Sequence, residues 1–413
     1  MFFFFLLLLS SLPVAVFLLL HYGRSRRRAL TSTCLKPYPL LGYLPQFIKN
    51  RHRFLQWITE VLTETPTQTM LMLLTPLSPS IVITANPANV EHILKTNFQN
   101  YPKGKRTISK LHDFLGDGIF NSDGEQWRWQ RKAASFEFNT KSLRSFVVDT
   151  VLQEIAERLL PLLRCAAKER RTLDLQDILK RFGFDNICKV SFGEDPAGLA
   201  NPEISEEQLR DIVISFIIAG RETTSSALTW FFWILATRPD VEGRILGEIR
   251  SVRGFSFEEL REMQYLQAAV TESMRLYPPV PIDTLSCAGD DVMPDGTAVR
   301  KGDFVMYSAY TMGRLDEVWG KGCSDYRPER WLDEAGGFRA ESPFRYPVFH
   351  AGPRACLGKE MAYLQMKSIV ASVLERFQIE LVGGSGKSPE NVLSFTLTMK
   401  GGLIVRMRER SNF

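Results

Sequence analysis

The chain has 413 residues, 45% hydrophobic and 23% charged, a balance that buries a large core and excludes disorder and collagen-like repetition. Lysine and arginine exceed aspartate and glutamate by only five, 51 against 46, and Arg24, Arg26, Arg27 and Arg28 hold four of those charges; a nucleic-acid binder would instead spread its basic excess along a face. Six cysteines, Cys34, Cys165, Cys188, Cys287, Cys323 and Cys356, stand far apart without a CxxC pair, which excludes a disulfide scaffold and a zinc ribbon.

From Phe2 to Leu20 an apolar run is broken only by Ser10, Ser11 and Pro13 and, as a helix, is long enough to cross a bilayer. It lacks the basic start and small-residue cleavage site of a signal peptide, so a retained membrane anchor over 2–20 is predicted. The arginines that follow hold that flank in the cytoplasm, so the body faces a reducing compartment. Residues 21–46, basic and then studded with Pro37, Pro39 and Pro45, read as a stiff linker. The body is expected over 47–410.

Within the body the pattern is mainly helical with a small β region. Ser80 to Thr84 reads as a short strand, and Asn86-Pro87 punctuates it before a helix over 88–96. Ser205 with Gln208 forms a capping-box pattern. It opens an apolar periodicity, Leu209, Ile212, Val213, Phe216 and Ile217, that runs to about Ala236 and stops before Pro239. That is about 30 residues and about 45 Å of helix. Gly220, Thr223 and Thr224 within it are expected to loosen the helix locally. Glu272 and Arg275, at i and i+3, share one helix face.

Phe349 to Gly358 is a Gly- and Pro-punctuated loop ahead of a predicted helix over 359–377. Alone, a cysteine in such a place is usually a small buried hydrophobe. Here Gly352 and Gly358 allow tight folding around the Cys356 sulfur, the following helix N-terminus favours a thiolate, and Arg354 adds a cation.

This FxxGxRxCxG stretch resembles the haem-binding loop of the cytochrome P-450 monooxygenases. Glu272-Ser273-Met274-Arg275 resembles their ExxR helix, Tyr326 to Trp331 their PERW segment, and Ala219 to Thr224 their oxygen-binding groove, in the family's order. The wider similarity, over about residues 31–192 and 205–410, is to the plant branch that hydroxylates fatty acids near the ω end. The resemblance implies a haem-thiolate fold, mainly α, with haem b as cofactor and electrons from NADPH through a separate reductase. It makes Cys356 the iron ligand and Trp127, Arg131 and Arg354 partners of the haem propionates. It also makes Glu222 and Thr223 a proton-relay pair, and joins Glu272, Arg275 and Arg330 in a buried network behind the loop. Phe114, Leu115, Val280, Ile282 and Leu397 match pocket-lining segments, although core packing explains them equally well. It implies a single-pass protein of the endoplasmic reticulum membrane, a fatty-acid-like substrate and no nucleic-acid partner.

One departure stands out. Between Phe192 and Ser205 lie twelve residues, Gly193 to Ile204, where the family carries the two helices that roof the pocket. The motifs on both sides are intact. The chain therefore reads either as a monooxygenase or as a catalytically impaired product lacking its lid.

Overall fold

A computed structural model describes residues 35–38, 41–74, 78–138, 141–192, 206–383 and 388–411. The expected anchor, most of the linker, the Ser205 cap and the Gly193–Ile204 junction lie outside the described residues. Among the described residues no helix is long and apolar enough to cross a membrane.

The chain forms two compact units, the smaller of residues 1–104, 282–321 and 351–353, the larger of 105–281, 322–350 and 354–413. In the smaller unit a four-stranded sheet runs in the order β1 (Thr69–Met72), β2 (Ile81–Thr84), β4 (Phe304–Tyr307), β3 (Asp283–Ser286). The predicted strand over 80–84 is thus present, one residue shorter. It is central: Thr84 faces Thr69 antiparallel and Tyr307 parallel. The predicted helix over 88–96 runs as an α-turn, Pro87–Glu91, and a wider turn, His92–Thr96. Asn86 caps it by accepting the amide N–H of Ala88.

The end of the expected linker is docked. Tyr43 is fully buried, its amide donates to the carbonyl of Leu73 at 2.9 Å and its hydroxyl to Leu35 O at 3.1 Å. Gly42 is required there: its φ is +54°, and a Cβ would lie 2.1 Å from Leu73 O. Pro45 sits in the first turn of a helix, Leu44–Asn50, where its missing N–H costs nothing. Proline in this stretch therefore starts structure as well as stiffening chain.

The larger unit is mostly helical. The helices that carry the argument are α1 (Lys105–Leu115), α2 (Gly124–Phe138), α3 (Leu175–Phe192), α4 (Glu206–Leu235), α5 (Pro239–Ser251), α6 (Phe257–Glu262), α7 (Gln264–Leu276) and α8 (Lys359–Arg376). The long helix α4 has 30 residues, as its periodicity predicts. Its core contacts come from Leu228, Trp230, Phe231 and Phe232, packed against α7 and α8. Every residue of α7 from Tyr265 to Leu276, except Gln267, is buried, which is the condition of a helix enclosed on all sides. A hairpin, Asn391–Leu393 with Leu397–Met399, docks on α4: Ser226 Oγ and Trp230 Nε1 both donate to the carbonyl of Leu397, at 2.8 and 2.9 Å.

The expected loosening of α4 at Gly220 is not found. The helix is continuous through Glu222 and Thr223. Gly220 instead serves close packing, because a Cβ would meet Ile187 of α3 at 2.6 Å, and a Cβ on Gly183 of α3 would lie 3.2 Å from the carbonyl oxygen of Arg221. The absent side chains let two helices approach without disturbing the hydrogen-bond ladder of either.

In the smaller unit, Asp291 Oδ2 meets His92 Nε2 at 2.8 Å and accepts from Asn97 Nδ2 at 2.9 Å and Tyr101 Oη at 2.7 Å. Burial opposes its charge, yet these bonds hold its carboxyl down to about 2. A depressed carboxyl contributes stability above its unfolded pKa and loses it as pH falls through the folded value. Between pH 5 and 2 the chain should therefore lose on the order of 2 kcal/mol through Asp291. Urea midpoints of the parent and of Asp291→Asn should converge as pH falls; a constant gap between them would refute the assignment.

Candidate active site

Cys356 stands in the loop that leads into α8. Two short 3-10 turns, Pro347–Phe349 and Gly352–Arg354, shape it, and the amide of Cys356 donates to the carbonyl of Phe349 at 2.8 Å. The two glycines differ in role. Gly352 needs a positive φ of +65°, and a Cβ there would lie 1.9 Å from Leu94 O. Gly358 has an ordinary φ of −84° and is the N-cap of α8. His350 is the strained residue, a non-glycine at φ 59° and ψ −176°, a conformation worth about 1–3 kcal/mol of stored strain.

The Cys356 side chain is open to solvent, yet protein surrounds it closely enough that burial pushes its thiol pKa up. The backbone N–H of Gly358, the Arg131 guanidinium and the Lys359 ammonium pull the pKa the other way. The helix start thus contributes as expected without making a free thiolate; a coordinating metal would complete the deprotonation. Donor type, open face and polarising N–H fit a haem iron ligand.

Two arginines lie beside the loop. Arg131 of α2 donates from Nη2 to the carbonyl of Ala355 at 2.5 Å, and burial lowers its pKa while the Cys356 sulfur opposes that shift. Arg354 stacks over the ring of Trp127 at 4.4 Å and donates from Nη2 to Asp123 Oδ1 at 2.7 Å and to Ser122 O at 3.0 Å. The structure therefore brings Trp127, Arg131, Arg354 and Cys356 together. Sequence reasoning missed Asp123, which orients Arg354; four residues before Trp127 and just ahead of α2, it carried no motif.

Behind the loop, the Glu272 carboxylate is fully buried and accepts from four residues. Arg275 is bidentate, Nε to Oε2 at 2.8 Å and Nη2 to Oε1 at 2.7 Å. Trp331 Nε1 donates to Oε2 at 2.8 Å, the amide of Arg327 to Oε1 at 3.0 Å, and Arg330 Nε to Oε1 at 3.4 Å. Arg275 reaches on to the carbonyls of Cys323 and Asp325 at 2.7 and 3.1 Å. The expected triad is assembled, and Trp331, which lies in the same sequence motif, is a further member.

Glu222 and Thr223 lie on α4, which packs along α8. The Thr223 hydroxyl donates to the carbonyl of Ala219 at 2.5 Å. Glu222 is held in ion pairs with Lys180 of α3 at 3.6 Å and Arg221 at 3.4 Å, and remains about one-quarter exposed. Lys180 carried no sequence signal, since the α3–α4 pairing that delivers it is tertiary.

The five expected pocket residues have unlike surroundings. Leu115 and Leu397 are buried, Leu397 as the docking point of its hairpin, and Ile282, in the smaller unit, is half-buried. Phe114 is half exposed and stacks on the exposed Phe395 at 5.8 Å, and Val280 is 39% exposed.

The sequence model of the family described as Cytochrome P450 matches residues 33–202 and 197–405, in two pieces that meet near residue 200. Cytochrome P450 CYP94D108 of Paris polyphylla is 44% identical over 460 aligned positions, covering 90% of this chain and 91% of that protein. Cytochrome P450 94B1 of Arabidopsis thaliana is 42% identical, with 90% and 91% covered. Cytochrome P450 94A2 of Vicia sativa is 40% identical, with 91% of each covered. Since 90% of 413 is about 372, roughly 88 of the 460 positions have no counterpart in this chain.

Three substitutions separate ligation from support. Cys356→Ser should abolish the red-shifted absorption of the reduced carbon monoxide complex; survival of that band would remove Cys356 as the ligand. Arg275→Met should cost about 3–5 kcal/mol because it strands a buried carboxylate, whereas Trp331→Phe, which removes one donor of several, should cost about 1–3 kcal/mol. Equal losses in urea denaturation would contradict this ranking.

Proposed function

The chain belongs to the cytochrome P450 family, and from that membership we propose its reaction and its present condition. Its cofactor is haem b, with electrons from NADPH through a reductase, as in that family. The proposed reaction inserts one atom of dioxygen into a C–H bond near the ω end of a long-chain fatty acid or fatty-acid-like conjugate. Cys356 just ahead of α8, with Arg131 bonded to the neighbouring Ala355 carbonyl and Arg354 two residues away held by Ser122 and Asp123, carries the haem half of this reading. The ω-end assignment draws on the 94 branch to which the relatives belong and on the apolar surface of Phe114, Val280 and Phe395, which suits an alkyl chain.

When bound, the haem supplies activation of dioxygen; the chain's own residues hold and hydrate it. Cys356 would ligate the iron, and Arg131 and Arg354 would meet the propionates, with Trp127 fixing the plane of Arg354. Thr223 donates its hydroxyl hydrogen bond to Ala219 O, which leaves its oxygen able to accept a hydrogen bond from a water and to position that water as a proton donor. Glu222, ion-paired and about one-quarter exposed, links that position to solvent.

We further propose that this 413-residue form lacks its roof. The two-piece family match and the roughly 88 unmatched positions support a deletion at the Gly193–Ile204 junction. Half-exposed Phe114, Phe395 and Val280 are what an uncovered pocket would leave. Without cover, water reaches a site that depends on excluding it, and reduction yields peroxide in place of product. The proposal also places the chain at the endoplasmic reticulum membrane, anchored by residues 2–20 with the body in the cytoplasm.

With reductase, NADPH and a panel of fatty acids, the chain as given should consume NADPH and release peroxide with little ω-hydroxylated product. Inserting the corresponding segment of the Paris polyphylla relative between Phe192 and Ser205 should restore coupled hydroxylation. Tight coupling by the 413-residue chain itself would overturn the deletion reading. In the restored chain, Thr223→Ala should keep the haem spectrum and shift electrons back to peroxide; unchanged coupling would dismiss the relay.

A further inference from the structure

Lys367 is the least exposed lysine of α8, at 4% of its surface, and nothing in the reaction above uses it. It lines a cavity of about 540 Å³ in the larger unit, together with Arg261 and Glu262 of α6, Gln264 and Gln267 at the start of α7, and Tyr363 and Leu364 one turn back on its own helix. Among the described residues no carboxylate oxygen lies within 4.0 Å of its Nζ.

That combination is unusual for a lysine. A buried ammonium ordinarily pairs with a carboxylate, because an isolated charge out of water costs several kcal/mol. The two nearest acids do not supply this. Glu248 of α5 is committed to the helix start of α7, where its two oxygens accept the amides of Tyr265 and Leu266 at 2.8 Å each. Glu262 attracts the lysine, but the neighbouring Arg261 offsets that attraction. Tyr363, one turn back on the same helix, is bonded to Thr271 at 3.0 Å. Burial accordingly lowers the Lys367 pKa to about 8, against the opposing pull of Glu248 and Glu262. Near pH 7.4 about one-fifth of the amine is then neutral, against about one-thousandth for an ordinary lysine.

A neutral primary amine facing a cavity is a nucleophile for carbonyl carbon, the arrangement used by Schiff-base lysines. The rest of the lining selects among carbonyl compounds. Leu357, Met361, Leu364 and the rings of Phe138 and Tyr346 give it an apolar wall, which suits an alkyl tail, while the lining acids Glu262, Glu341 and Glu360 and the cations Arg261, Lys359 and Lys367 balance one another and favour no charged ligand.

We propose that Lys367 is a covalent modification site for neutral alkyl aldehydes. The lysine nitrogen forms a C–N bond to the carbonyl carbon, the nitrogen gives up its two protons, and the carbonyl oxygen leaves as water, so one amine and one aldehyde become one imine and one water. No oxidant or reductant takes part. The inference stands on this cavity alone and is independent of the haem reading.

Hexanal and cyanoborohydride, which reduces and traps the imine, provide the test on the folded full-length chain, with peptide mapping by mass spectrometry. Lys367 should be alkylated at least about tenfold faster than the exposed Lys105 and Lys110. Unfolding the chain in guanidinium should erase that advantage. Glu262→Gln removes a charge that favours the ammonium and should speed the labelling further. Labelling of Lys367 no faster than Lys110 in the folded chain, an advantage that survives unfolding, or slower labelling in Glu262→Gln would each overturn the proposal.

Discussion

Everything on the Cys356 side of this molecule rests on one buried anion. The Glu272 carboxylate has no exposed surface, and an ionised carboxyl taken out of water costs several kcal/mol unless it is fully bonded. It is fully bonded, by a bidentate arginine, an indole, a backbone amide and a second arginine. Those donors come from separate stretches of chain. Satisfying a single charge therefore fixes the end of α7 against residues 323–331, and the chain enters the Cys356 loop from a rigid support. Such a network stabilises little relative to an apolar core of the same volume, but it tolerates few alternative arrangements.

The second constraint is the close approach of α3 and α4. Gly220 and Gly183 remove the side chains that would hold the helices apart. The approach brings Lys180 to Glu222, so the acid of the proposed relay pair is set by a helix pairing as well as by its neighbour Arg221 on α4. The same contact explains why glycine and threonine leave α4 unbroken: their effect is spent on packing and on the Thr223 back-bond. A glycine within a helix reads from sequence as weakness, whereas here it reads as contact.

The proposed missing roof and the supporting network bear on different halves of the chemistry. The printed partners of the Cys356 loop, its arginines and the Glu272 network all lie among the described residues. Exclusion of water and enclosure of an alkyl substrate do need cover. A chain of this kind keeps the means to hold its cofactor while losing the means to direct it.

The sequence by itself determined the periodic elements and the motif-borne chemistry. The 30-residue helix, the strand before Asn86-Pro87, the helix after Gly358, and the identities of Cys356, Arg131, Glu272 and Arg275 were legible, because each depends on local spacing or on a short ordered motif. Tertiary structure alone decided the rest. Asp123 behind Arg354, Lys180 on Glu222, the docking of Tyr43 and the burial of Lys367 all depend on which distant segments meet. Gly42 and Gly352 are fixed by a carbonyl on another segment, and the unlike surroundings of Phe114 and Leu397 by which neighbours cover them. Local pattern sets what a residue is able to do, and burial and partner choice, which arise only when the chain packs, set which of those abilities it keeps.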